Sequence, residues 1–334
     1  MKFLFELSKD HKTLPSSEVF SCLKAEKIDY KILELNEDVA VIDTAESEKI
    51  QIIANRLSHT FFVNQFLFSS SISTDEINKI ALKNKIEKKG SIAIRYKNRS
   101  KKVDSQKIIK KLAEIYTKNM KVSLQNPDIE IRALITDSKV YVGLKLYSIN
   151  RTQFERRKVQ FRPFFSPISL HPRIARALVN ISNIKKDDIL LDPFCGTGGI
   201  LLEAGLIGAK VIGNDIEEKM IDGCRKTLDY YEIKNYSIFC SDIGDISNYL
   251  NAVDAVVTDF PYGKSTTTKG EDMENLYLRA FESISKILKT GGRAIIGISR
   301  YDLINVGKEY LSYIETHEFR AHRSLTRYFV VFKK

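Results

Sequence analysis

The 334-residue chain contains no tryptophan, only seven prolines and only four cysteines. Cys22, Cys195, Cys224 and Cys240 are scattered without a C-x-x-C pair, so their spacing suggests neither a zinc site nor a disulfide framework. With no partnered histidine in its motif, Cys195 reads as a small loop residue and not a nucleophile. No apolar run approaches the roughly 18 residues of a membrane span. The opening Met1-Lys2-Phe3-Leu4-Phe5-Glu6 meets an acid too early for a signal peptide. Repeats and low-complexity segments are absent as well. A cytoplasmic, monomeric protein with no metal and no membrane association is expected, built from two or three domains.

Positive charge is plentiful, at a net +11, and it is unevenly placed. Residues 1–82 hold 9 Lys and Arg against 13 Asp and Glu, a balance of −4. Residues 83–176 hold 24 against 7, or +17, and residues 177–334 hold 20 against 22, or −2. A localised basic block is the footprint expected of phosphate contacts; evenly spread charges would read as an ordinary solvated surface.

Leading into that block, Thr74 to Glu87 reads as a helix capped by Thr74, and within it Ser91 to Tyr96 reads as a strand. Asp104 to Lys118 is amphipathic, with Ile108, Leu112 and Ile115 on one face. A hairpin follows, Ile129–Ile135 and Val140–Leu146 around a turn at 136–139. Lys97, Arg99, Lys101 and Lys102 are the candidate phosphate contacts here. The linker at 151–176 interleaves Arg151, Arg157 and Arg162 with phenylalanines. Its arginines read as RNA candidates, and its phenylalanines more readily as packing onto a domain.

The last part of the chain alternates apolar runs with helical patterns, the pattern of a doubly wound parallel sheet. Strands are expected at 188–192, 210–214, 236–240, 254–258 and 292–298, with an antiparallel return from Leu325 to Phe332. The first runs into Asp192-Pro193-Phe194-Cys195-Gly196-Thr197-Gly198, a glycine-rich turn before a helix. The second ends at Asp215-Ile216, where an acid can hold ribose hydroxyls, and the third reaches Asp242-Ile243. Each acid alone could be a helix cap, but three at successive strand ends suggest a nucleotide-like ligand. The glycine spacing is not G-x-G-x-x-G, which disfavours a dinucleotide. The fourth strand ends in Asp259-Phe260-Pro261-Tyr262-Gly263. There, a carboxylate and a backbone carbonyl can accept hydrogen bonds from an amine on a flat base that Tyr262 stacks against.

These motifs together resemble a class I S-adenosylmethionine-dependent methyltransferase over residues 177–334. Asp259-Phe260-Pro261-Tyr262 is similar to that superfamily's [D/N]-P-P-[Y/F] motif for exocyclic amines, with Phe260 standing where proline is usual. Phe260 lacks proline's locked φ, which bears on the loop's rigidity. The set looks like the branch acting on guanine in tRNA, including archaeal enzymes that methylate guanosine-10. Arg162-Pro163-Phe164-Phe165, His171-Pro172-Arg173 and Arg323-Ser324-Leu325-Thr326-Arg327 also resemble that branch. Asn126-Pro127-Asp128 and Tyr141-Val142-Gly143-Leu144 resemble a THUMP domain over residues 48–150, and residues 1–47 look like the ferredoxin-like domain that usually precedes it. The resemblance implies an α/β protein, a Rossmann-like methyltransferase sheet behind an α+β RNA-binding unit. It implies S-adenosylmethionine as cofactor and tRNA as partner. Catalysis would fall to Asp259, Phe260, Pro261 and Tyr262. Cofactor binding would fall to residues 192–198 with Asp215, Ile216, Asp242 and Ile243, and Arg323 and Arg327 would join the RNA contacts. Another RNA base as substrate, or a non-catalytic tRNA-binding protein, are the alternatives. A catalytic half separable at residue 150 is also expected.

Overall fold

The computed structural model describes residues 1–166, 169–262, 272–322 and 325–334. Gly263 and Arg323 therefore lie outside the described residues. The chain forms two compact units that are not simple consecutive segments. One contains residues 1–12, 28–55 and 60–149; the other contains residues 13–27, 56–59 and 150–334.

The first unit is an eight-stranded sheet. Its strands are β1 (Lys2–Leu7), β2 (Lys31–Leu35), β3 (Val39–Asp43), β4 (Thr60–Ser71), β5 (Ser91–Asn98), β6 (Lys121–Val122), β7 (Ile129–Ile135) and β8 (Lys139–Ser148). They run in the order β2-β3-β1-β4-β8-β7-β5-β6. Strands from residues 1–47 and from residues 60–148 thus share one sheet. Helix α1 (Leu14–Ala25) belongs to the second unit, and α2 (Ile50–Arg56) ends where the chain passes into that unit. Helices α3 (Thr74–Ala81) and α4 (Ser105–Tyr116) bury Ile77, Ile108 and Leu112 against Ile131, Ala133 and Val142 of the sheet. Asp104 caps α4 through the Gln106 amide, 3.0 Å away. The cap of α3 is Ser73, not Thr74: Ser73 is extended and its hydroxyl accepts the Glu76 N–H, while Thr74 is already helical. That helix also stops at Ala81, short of Glu87. The Asn84 side chain takes the Ile80 carbonyl, and the Tyr116 hydroxyl donates to the Asn84 carbonyl, so the chain is turned away from a further helical turn.

The second unit adds α5 (Thr152–Arg156), α6 (Pro172–Ile181), β9 (Ile189–Asp192), α7 (Gly199–Gly205), β10 (Lys210–Asp215), α8 (Glu218–Tyr230), β11 (Tyr236–Cys240), α9 (Ile246–Tyr249), β12 (Val253–Asp259), α10 (Met273–Ile287), β13 (Leu288–Ile298), α11 (Ile304–Lys308), β14 (Ser312–His322) and β15 (Leu325–Lys333). Its sheet order is β11-β10-β9-β12-β13-β15-β14, parallel from β11 to β13 and antiparallel at β15 and β14. Leu178, Leu201 and Leu228 cover one face, and Phe281, Ile284 and Ile304 cover the other. The direction of strand order reverses between β9 and β12, and a doubly wound sheet opens its ligand crevice at the carboxyl ends flanking such a point. β14 runs on through residues 319–322: Phe319 pairs with Arg327 and Arg320 with Thr326 across the hairpin.

Helix α1 is tied into this unit by buried polar groups. Glu18, wholly buried, accepts from the Ser58 and His59 amides (2.9 and 2.8 Å) and from the Asn180 side chain (2.8 Å). The Arg56 guanidinium donates to the Asn180 side chain and to the Ile184 carbonyl. Desolvation is the main cause that raises the Glu18 pKa. Removing residues 1–150 would strip Glu18 and Arg56 from this cluster, so the second unit is not cleanly separable at that point.

Candidate active site

Four acids stand at the ends of β9, β10, β11 and β12. Asp192 is buried, accepts the Phe194 amide at 3.2 Å and lies beside the Thr258 hydroxyl; burial pushes its pKa up to about 7. Asp215 accepts the Gly196 amide through Oδ2 (2.9 Å) and the Glu217 amide through Oδ1 (3.0 Å). It thus links the end of β10 to the glycine-rich turn. That turn has Gly196 at φ +48° and Gly198 at φ +77°, left-handed conformations that favour glycine. At Gly196 a Cβ would meet nothing within 4 Å, which leaves the backbone open to a ligand. Cys195 is buried, as is Thr197, and Pro193 backs the turn. Asp242 caps the short turn containing Ile243 through the Gly244 amide (2.8 Å), and its carboxylate also pairs with Arg279.

Asn214 has a part that the motifs do not assign to it. It is 1% exposed; its side-chain amide donates to the Ser241 carbonyl (3.0 Å) and, more weakly, to the Pro193 carbonyl (3.4 Å). Its Oδ1 accepts from the Ser241 hydroxyl at 2.8 Å, and its own carbonyl accepts the Cys195 amide at 2.8 Å. One residue therefore joins the loops after β9, β10 and β11. The N-D-I pattern holds this signal, although by residue chemistry only its aspartate reads as a ligand.

Phe260, in proline's usual place, is held by packing. Its amide donates to the Gly297 carbonyl at 2.9 Å, a bond that proline could not make. Its ring, 1% exposed, meets Phe194, Tyr277 and Phe281 edge-on at centroid distances of 5.1, 4.7 and 5.4 Å. The Tyr277 hydroxyl donates to the Pro261 carbonyl at 3.1 Å. Asp259 faces Gly297 on β13, where a Cβ would stand 2.3 Å from Asp259 Oδ1. Only glycine there leaves room for the carboxylate. Burial pushes the Asp259 pKa up to about 7, against the opposing pull of Arg327, whose Nη2 is 3.5 Å from Oδ2. The Arg327 guanidinium also lies 5.1 Å from the Tyr262 ring centroid.

The candidate RNA contacts separate by exposure. Lys97, Lys101 and Lys102 are exposed, and Arg151 is half-buried. Three arginines expected at the surface are instead engaged inside their own units. Arg99 pairs with Asp38 at 2.6 Å and donates to the Leu7 carbonyl. Arg157 grips Glu203 at 2.7 and 3.0 Å. Arg162 is buried and donates to the Arg157 carbonyl at 2.9 Å. Their guanidinium groups satisfy buried acceptors, which removes them from the solvent-facing set. In the linker, Phe154 is fully buried and Phe164 sits over Gly223 of α8, where a Cβ would come within 2.1 Å of the ring. Phe161 and Phe165 remain exposed.

This arrangement agrees with what the chain is similar to. The UPF0020 family, described as an RMKL-like methyltransferase domain, matches residues 159–328, and the THUMP domain matches residues 74–145. The chain is 35% identical to the tRNA (guanine(10)-N2)-dimethyltransferase of Methanothermobacter thermautotrophicus over 98% of each. It is 39% identical to the protein of that name from Pyrococcus abyssi over 65% of each. A crystal structure of TrmN from Thermus thermophilus superposes with a TM-score of 0.57 at 18% identity, covering all of both chains.

Proposed function

Because the chain belongs to the UPF0020 methyltransferase family and to the group of archaeal tRNA (guanine(10)-N2)-dimethyltransferases, we propose that it transfers one or two methyl groups to the exocyclic amine of a guanine in tRNA. The observation that carries this reading is the Asp259–Tyr262 loop at the switch point of the sheet, with a buried carboxylate beside an aromatic ring. S-adenosylmethionine, when bound, supplies an electrophilic methyl group. The open turn at Gly196, with the acids after β9, β10 and β11, fits that cofactor's adenosyl, ribose and amino-acid parts, and Asp215 is the candidate for the ribose hydroxyls.

In the proposed reaction Asp259 and the Phe260 carbonyl accept hydrogen bonds from the target amine. Those bonds aim a nitrogen lone pair that is otherwise delocalised into the ring, and they stabilise the positive charge that develops on nitrogen. With a pKa of about 7, Asp259 can take up the proton that the methylated amine gives up. Tyr262 offers a stacking face to a base turned out of its helix, an extrusion costing a few kcal/mol. The THUMP domain and the surface lysines around it supply the phosphate contacts, in a cytoplasmic enzyme without a metal. The test is a competition for labelled methyl groups between unmodified tRNA, ribosomal RNA and duplex DNA. Label is expected in tRNA; preferential labelling of DNA or ribosomal RNA would overturn the assignment of tRNA.

A further inference from the structure

Three buried polar atoms of the Asp259 loop and its neighbour on β15 have no hydrogen-bond partner among the described residues: Asp259 Oδ1, Tyr262 Oη and Arg327 Nε. A buried polar group left without a hydrogen bond is destabilising, and three in one constellation point to a ligand that approaches them. Their chemistry is an acceptor, a hydroxyl and a donor.

The strands place them together. Phe329 of β15 lies opposite Gly297 of β13, and Gly297 in turn neighbours Asp259 of β12. Because Gly297 has no side chain, β15 can act on the Asp259 carboxylate across it. Arg327 lies two residues before Phe329, on the same face of the strand. Its side chain is 11% exposed. At 3.5 Å from Asp259 Oδ2 it is too distant for a strong charge-assisted hydrogen bond, so its donors are not consumed by the carboxylate. The guanidinium also lies over the Tyr262 ring, 5.1 Å from its centroid.

We propose that Arg327 is a specificity-determining residue, whose guanidinium reads the O6 oxygen of a guanine that rests its N1–H and 2-amino group on Asp259. This rests on the proposed reaction at a guanine amine. Guanine alone among the bases presents two adjacent donors, N1–H and N2–H, followed by an acceptor. A carboxylate beside a guanidinium complements that order. Adenine presents its amine next to the N1 acceptor and has no carbonyl; cytosine presents one donor and two acceptors. Either would set a lone pair against Asp259. A polar contact of this kind discriminates because the wrong base leaves a buried charged group unpaired.

The test uses tRNA assembled with either guanine or 2-aminopurine at the target nucleotide. 2-Aminopurine keeps the 2-amino group and lacks O6. The wild-type enzyme is expected to favour guanine by at least about tenfold in kcat/KM, the scale of one hydrogen bond to a charged donor. In Arg327→Ala that preference should fall by about tenfold, the O6 share of it, leaving the share that comes from N1–H on Asp259. 2-Aminopurine also lacks N1–H, but that difference affects both enzymes alike, so the change in the ratio isolates the Arg327 interaction. An unchanged preference in Arg327→Ala would overturn the proposal and leave Arg327 as a neighbour of Asp259 only. If Arg327→Ala does not fold, the test passes to Arg327→Lys. A reduced guanine preference in that variant supports the proposal, and a wild-type ratio near one overturns it. Failure of the underlying reading looks different, since the wild type would then place no methyl on the guanine amine at all.

Discussion

The candidate phosphate contacts fare differently in the two units. In the eight-stranded unit the excess is carried by lysines at the surface, Lys97, Lys101 and Lys102 among them, while Arg99 and Arg132 turn inward to Asp38 and Glu6. In the seven-stranded unit Arg157, Arg162 and Arg176 are all buried, and Glu203, itself fully buried, holds two of them. The density of basic residues along the chain therefore marks the charged region without saying which residues face solvent. Arginine's planar fork can satisfy a buried carboxylate bidentately, and lysine's strongly hydrated ammonium stays in water. The same residue class is structural cement in one place and a candidate phosphate ligand in another.

That contrast can be broken or sharpened. The largest effect is expected at Arg157. Arg157→Ala leaves Glu203 buried with one partner fewer and should lower stability by about 3 kcal/mol in chemical denaturation. It should leave the salt dependence of tRNA binding unchanged. Unchanged stability together with a shallower salt dependence would return Arg157 to the RNA surface. A smaller effect is expected from reversing the charges of Lys97, Lys101 and Lys102. Stability should hold, because surface substitutions usually change it by no more than about 0.5 kcal/mol. tRNA binding should weaken, and its log–log salt slope should flatten by roughly 0.7 to 0.9 for each phosphate that is no longer neutralised. A slope equal to that of the wild type would move the phosphate-binding surface elsewhere.

The strand-end acids were legible because each follows a run that reads as a parallel strand, and the D-P-F-C-G-T-G-G turn marks the first of them. The antiparallel return at β15 was legible for the same reason. What was not legible depends on partners distant in sequence. The loop at Phe260 is held by Gly297, Tyr277 and Phe281, which no local pattern marks, and by Phe194, whose motif marks it for a different part. The assignment of α1 to the catalytic unit depends on Glu18 meeting Ser58, His59 and Asn180. The cap of α3 falls one residue earlier than its sequence suggests, at Ser73, because neighbouring Ser and Thr are nearly equal candidates by composition.

The most direct test of the central claim, that Asp259 orients a guanine amine, is nucleoside mass spectrometry on tRNA treated with the wild type and with Asp259→Ala. The wild type should yield guanosine carrying one or two methyl groups on N2. The variant should be slower by at least about a hundredfold while binding S-adenosylmethionine with nearly unchanged affinity. Methyl groups on adenosine or cytidine, or wild-type turnover by Asp259→Ala, would contradict it.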